Sequence, residues 1–211
     1  MIKPKIAVDN LTVGSFSQLY DNEDFLLTYL KVEKEVIEEQ SIDQARLTAC
    51  LFEHVIFQSC DFSRLEISDC IFINCDFSNC LMEKSSIYRS QFLNCKLLGS
   101  RLPTSYFKQV SFTNCLMSFA NLSDSKLKEV LFEESNLTHL DMVESSMEKT
   151  EFLNCALNEA NFFYTKFKKM NLSSCTFERI DFRQEDISGC IFNQYQSIYL
   201  AQKFLNIKIS D

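Results

Sequence analysis

Ten cysteines and two histidines are the side chains through which this 211-residue chain could do metal, redox or nucleophilic chemistry. A structural zinc site wants its ligands grouped at short spacings, and a nucleophilic thiol or hydroxyl wants a base beside it held by a third group. The sequence contains no Cys-x-x-Cys pair, and Gly14, Gly99 and Gly189 stand too far apart to cradle a phosphate. No catalytic, cofactor-binding or metal residues are therefore expected. The cysteines fall at 50, 60, 70, 75, 80, 95, 115, 155, 175 and 190, all multiples of five. Such spacing belongs to a repeating scaffold rather than to a site.

From Leu47 to Phe192, every fifth residue is Phe, Leu, Ile or Met, and 15 of the chain's 20 phenylalanines stand in this column. Neither a helical period of 3.6 nor a strand period of 2 sustains that over 150 residues. Two places earlier runs a second column, Ala45, Cys50, Val55, Cys60 and onward, which holds all ten cysteines, with most others Ser, Ala, Thr or Val and small residues at 25 of its 30 positions. Two inward residues separated by one outward residue describe a short strand, and the remaining two residues of each five must turn a corner. Thiols in coils stacked ~4.8 Å apart are close enough for a disulfide or a shared metal. Their exchange with Ala, Ser, Thr and Val favours small inward packing groups, and His54 and His139 lie at outward corners.

Segments such as Cys60-Asp61-Phe62-Ser63-Arg64, Cys75-Asp76-Phe77-Ser78-Asn79 and Ala120-Asn121-Leu122-Ser123-Asp124 resemble the pentapeptide-repeat family, over residues 45 to 194. In that family four pentapeptides make one square, right-handed coil. The resemblance implies an all-β solenoid, a right-handed quadrilateral β-helix of about eight coils with short non-repeat caps, the C-terminal one helical. A four-sided coil also requires a period of 20, and Phe52, Phe72, Phe92, Phe112, Phe132, Phe152 and Phe192 supply it, with Leu172 the one interruption. The expected divisions are an acidic N-terminal cap over 1–41, the β-helix over 42–194, and a helix with its tail over 195–211. No loop is expected to project from the coils.

Open coil ends expose strand edges and need covering. Asp21-Asn22-Glu23-Asp24 followed by Phe25, Leu26, Tyr29, Leu30, Val36 and Ile37 reads as a helix start with an apolar stripe. The alternation of Leu30, Val32 and Lys34 suits a strand as well, and Leu27, Val32, Ile37 and Ile42 continue the frame of five. At the other end an amphipathic helix is expected. The start of the chain has no apolar secretory core and no apolar run approaches ~18 residues, so a soluble cytoplasmic protein without membrane contact is expected.

Of the net charge of −8, the coils carry −4, the first 44 residues −5 and the tail +1. The wall with the Phe column holds Glu53, Glu133, Glu134 and Glu151 and no Lys or Arg, with Ile71, Ile73, Leu93 and Leu153 among its outward residues. The wall that begins at Leu47 is the opposite, with nine bases against six acids.

The C-terminal sequence is also similar to that of the quinolone-resistance branch of the family, in which a tyrosine-glutamine pair, a helix and an isoleucine-rich terminus form a dimer contact. That resemblance implies a non-enzymatic homodimer joined through Tyr195, Ile198, Tyr199, Leu200, Phe204, Leu205 and Ile207. It further implies DNA gyrase or topoisomerase IV as partner, engaged by imitating a DNA duplex, with inhibition or quinolone protection as the outcome and no direct contact with nucleic acid. B-DNA would present roughly 21 charges over a rod of this length, against −4 in these coils. Mimicry must then work through shape and the acidic wall, with Glu53, Glu133, Glu134 and Glu151 as candidate contacts. The alternative is a scaffold whose partner is unrelated to topoisomerases.

Overall fold

The computed structural model describes residues 3–21 and 23–208. It is a four-sided β-solenoid of about eight coils closed by one C-terminal helix. Two walls are parallel sheets of three-residue strands. The phenylalanine wall has eight strands, running from Thr12–Gly14 to Glu151–Leu153, and the lysine wall has seven, from Leu26–Thr28 to Ser146–Glu148. The other two walls are joined mainly by single bridges, such as Asp61 to Leu81 and Asp76 to Lys96. Partners are 20 residues apart on every wall, from Leu26 and Arg46 to Asn171 and Ile191. The even register leaves no projecting loop between Leu26 and Leu153.

The chain turns without glycine. Every fifth residue from Tyr29 to Lys169 has a positive φ, including Ala49, Thr104 and Phe119, and Gly99 is the one glycine among them. A left-handed L-residue costs roughly 1–2 kcal/mol. Here most corner N–H groups stay in the ladder, as in Asn74 N–H to Leu93 O and Asn94 N–H to Thr113 O at 2.9 Å. That ladder and the interior offset the strain.

Inside, Phe52, Phe72, Phe92, Phe112, Phe132 and Phe152 stack with centroids 4.8–5.2 Å apart. Nine of the ten cysteines are buried, and all ten are free thiols. Their Sγ–H groups point at carbonyl oxygens of the preceding coil, Cys75 at Phe52 and Cys95 at Phe72, both at 3.5 Å. Where the column holds hydroxyls, they accept from the coil before, as in Ser85 N–H to Ser105 Oγ and Ser105 N–H to Ser125 Oγ at 3.0 Å. Burial pushes the Cys70 thiol well above its ordinary range. These thiols pack inside the coils and bond to their carbonyls.

Three departures from the sequence reading concern the ends. The expected N-terminal helix is absent: Leu26–Thr28, Leu30–Glu33 and Val36–Glu38 are strands, and Asn22 lies outside the described residues. Leu27, Val32, Ile37 and Ile42 fill the interior in the frame of five, so strand pairing with the next coil prevails over helical propensity. The coils thus begin inside the 1–41 segment assigned as cap. The plug itself is the 3₁₀ turn Phe16–Asp21, which buries Phe16 and Leu19, with the Phe16 ring 5.5 Å from that of Phe57. At the other end the ladder fails on two walls after Glu151–Leu153, and Cys190 is only half-buried.

Candidate interaction surfaces

On the phenylalanine wall the candidate acids separate into two places. Glu53 is half-buried and lies against Lys31, whose Nζ is 2.8 Å from both Glu53 and Glu33. It stands four strands from Glu133, or about 19 Å at the ~4.8 Å strand spacing. Glu133, Glu134 and Glu151 are brought together: Glu133 pairs in register with Leu153, Glu151 with Leu131, and Glu134 is the exposed corner between them. The wall between the two places is neutral, with Ile71, Ile73, Leu93 and Thr113 half-buried on its outer face.

The lysine wall carries its own polar structure. Asp69 accepts from the Arg89 guanidinium and from the Lys5 main chain at 2.6 Å, which ties the N-terminal segment to the third strand of this wall. Burial raises the Asp69 carboxyl, but its hydrogen bonds from Arg89 and Lys5 prevail and hold it below the usual carboxylate range. Arg89 lies over the Tyr88 ring at 4.4 Å, and Lys108 Nζ is 5.4 Å from the same ring. Both histidines are on corners as expected. His54 faces Asn74 at 3.4 Å, and His139 stacks on Phe119 at 4.4 Å with Glu159 3.4 Å from its Nδ1. Among the described residues no group of three or more His, Cys, Asp and Glu side chains is arranged to hold a metal ion.

The C-terminal helix α1, Gln194–Leu205, starts with a capping box between Asn193 and Gln196. The tail residues divide between two tasks. Leu200 is buried and Tyr199 and Phe204 are partly buried against the last coil; the Tyr199 hydroxyl meets Ile180 N–H and O at 3.3 and 3.1 Å. Tyr195, Leu205 and Ile207 are exposed, Tyr195 at 84%, and Ile198 is half-buried. Sequence reasoning missed Gln196, a buried amide that donates to Leu172 O at 3.0 Å and Cys175 O at 2.8 Å. Its signal was its place three residues after Asn193, the spacing of a capping box.

The family model described as "Pentapeptide repeats (8 copies)" matches residues 45–83, and that described as "Pentapeptide repeat region" matches 85–162. The chain is a pentapeptide-repeat protein. Among solved structures, HetL, a pentapeptide-repeat protein involved in heterocyst differentiation regulation from the cyanobacterium Nostoc sp. strain PCC 7120, is 14% identical. It superposes with a TM-score of 0.60 over 80% of this chain and 85% of HetL. A trypsin-treated variant of QnrB1, a plasmid-mediated fluoroquinolone resistance protein, is 17% identical with a TM-score of 0.50 over 85% of this chain and 100% of that one. These similarities show the shared fold. No curated protein sequence matches the chain. No helix among the described residues of this pentapeptide-repeat protein is long and apolar enough to cross a membrane.

Proposed function

We propose that this protein is a non-catalytic binding module for DNA gyrase or topoisomerase IV, which it engages as a duplex-shaped rod, inhibiting the enzyme or shielding it from quinolones. The observation that carries the reading is the evenly registered ladder from Leu26 to Leu153 with Glu133, Glu134 and Glu151 grouped on one wall near its end. A protein groove meets only part of a ligand's surface, so a local acidic group on a rod of the right shape can steer binding despite a modest total charge. Cytoplasmic residence and a homodimer through Tyr195, Leu205 and Ile207, with Ile198 beside them, belong to the same proposal. Two rods joined at their helical ends would double the length available to a groove.

The test is gyrase supercoiling titrated with this protein, with and without a fluoroquinolone, beside a Glu133→Lys/Glu134→Lys/Glu151→Lys variant. Inhibition or protection that the variant loses is expected. An effect shared by both proteins rejects that wall, and no effect from either rejects gyrase. A second reading, a scaffold with an unrelated partner, is favoured by the neutral centre of the same wall, where Ile71, Ile73 and Leu93 would make an apolar contact with little salt dependence.

A further inference from the structure

The ladder opens between the coil at 145–153 and the coil at 165–173. The lysine wall ends at Ser146–Glu148, and residues 166–168, which would be its next strand, form none. Lys168 and Lys169 have φ of 42° and 63°, two left-handed residues in succession where each earlier corner has one. The cause stands next to them. Met170 occupies the column of small inward residues and is only half-buried there, because an unbranched side chain of that length does not fit where Cys, Ser or Ala does.

The opening leaves a strand edge without a partner. In regular coils the central N–H donates to the carbonyl 19 residues on, as Met142 does to Asn161 at 2.9 Å, and the corner N–H does likewise, as Glu129 does to Glu148 at 2.8 Å. One coil later the N–H groups of Met147 and Lys149, and the carbonyls of Ser145 and Thr150, have no such partner among the described residues. Met147, Lys149 and Thr150 border a cleft of about 550 Å³ whose walls present half-buried Leu153 and Met170 as apolar surface and Lys149, Lys168 and Lys169 as charge, the Met147 and Phe167 side chains being buried. None of these three lysines, nor Lys166, forms an ion pair among the described residues. Of the two acids lining the cleft, Glu148 is held by Lys128 at 3.0 Å, and Glu151 remains.

We propose that this opening is a docking site for an extended acidic peptide segment of a partner protein, taken up as an added strand along Ser146–Glu148. Alternating N–H and C=O groups match the main chain of an extended peptide, where a simple anion would use the donors alone. The unpaired lysines select acidic side chains at alternate positions, and the apolar surface takes the residues between. The strand edge lies on another wall from that of the topoisomerase reading, although Glu151 lines both this cleft and that wall, and the proposal does not depend on that reading.

Two measurements on the full chain test this: fluorescence anisotropy with short labelled peptides, and amide hydrogen exchange. In the free protein the Met147 and Lys149 amides should exchange at least about tenfold faster than Leu127 and Glu129, their counterparts one coil earlier. A peptide alternating valine and glutamate should bind and slow both amides, and one alternating valine and lysine should not bind. Lys149→Glu/Lys168→Glu should weaken binding by about tenfold, while Lys34→Glu/Lys84→Glu, far from the cleft, should not. Met170→Ser, which restores a small residue and changes no charge, should slow both amides and abolish binding. Equal protection of Met147 and Leu127 in the free protein would overturn the proposal. So would binding that leaves the two amides exchanging freely, an equal affinity for the lysine peptide, or a Met170→Ser variant unchanged in both measurements.

Discussion

Phe112 sits at the middle of the aromatic stack, fully buried, with Phe92 at 4.9 Å on one side and Phe132 at 5.2 Å on the other. Phe112→Ala removes a ring whose burial contributes about 2–3 kcal/mol by transfer. The void is roughly 100 Å³, which adds about 2 kcal/mol at ~24 cal/mol per Å³ if nothing relaxes into it. Relaxation is restricted here, because the flanking residues are pinned on both sides by the pairs Gln91 with Ser111 and Ser111 with Leu131. The expected loss is therefore about 4–5 kcal/mol, near the upper end for a phenylalanine. The control is Phe119→Ala, a corner phenylalanine 64% exposed and stacked on His139, which should cost no more than about 0.5 kcal/mol. Urea unfolding followed by circular dichroism compares the two midpoints. If Phe112→Ala shifts the midpoint no further than Phe119→Ala, the closed and pinned interior is the wrong description of this chain.

Gln196→Ala breaks the capping box and strips two coil carbonyls of their donor, so a loss of about 1–3 kcal/mol is expected, with faster amide exchange confined to α1 and the last coil; an effect spread evenly along the rod would count against Gln196 as the latch. In native protein a maleimide should label Cys190 alone, with a rate still rising above pH 9, since burial raises this thiol from its ordinary 9.0; labelling of several cysteines at one rate would contradict the packed thiol column. Asp69 has its folded pKa depressed from 3.8, so its contribution is present above that value and lost as pH falls through the folded one. Arg89→Met should therefore destabilise by about 1–3 kcal/mol at pH 7, and the difference from wild type should shrink below about pH 4. A difference independent of pH would show that Arg89 acts by packing alone.

Much of the fold was legible because one physical requirement recurs at every coil. A closed coil of fixed circumference leaves room for one large and one small inward side chain per wall, so the interior writes itself into the sequence at periods of five and 20. The same requirement hid the N-terminal coils. Leu27, Val32, Ile37 and Ile42 keep the large column, but the small column there is lost, so a helix remained a competing reading of those residues. Phe16 and Leu19 gave no periodic signal at all, since a plug is used once. On the surface the periodicity assigned each charge to a wall but not to a partner. It could not show that Glu53 is held by Lys31 from a coil beyond the recognised repeat, nor that Asp69 ties down the main chain at Lys5.

The exceptions in the small column are more informative than its rule. Leu65, Leu140 and Ile180 break it in size and are nevertheless fully enclosed, so a branched side chain can be absorbed. Met170 and Glu185 break it nearer the C-terminus and are not enclosed. Glu185 lies within the 3₁₀ turn Gln184–Ile187, whose Asp186 is buried against Arg183 at 2.7 Å, a polar substitute for the missing interior contact. Met170 has no such compensation, and it is there that two walls part. Coils ahead of this point have ladder partners on both sides; the coil after it is held by two walls and by the helix latched through Gln196. Strand edges are costly to expose and are ordinarily paired, covered or charged. This one is flanked by unpaired lysines, which discourage pairing with a second copy of the same cationic edge while leaving it open to a segment of opposite charge. Restoring a small residue at 170 therefore separates a lapse in packing from a working surface: stability should rise in either case, but binding disappears only if the opening is used.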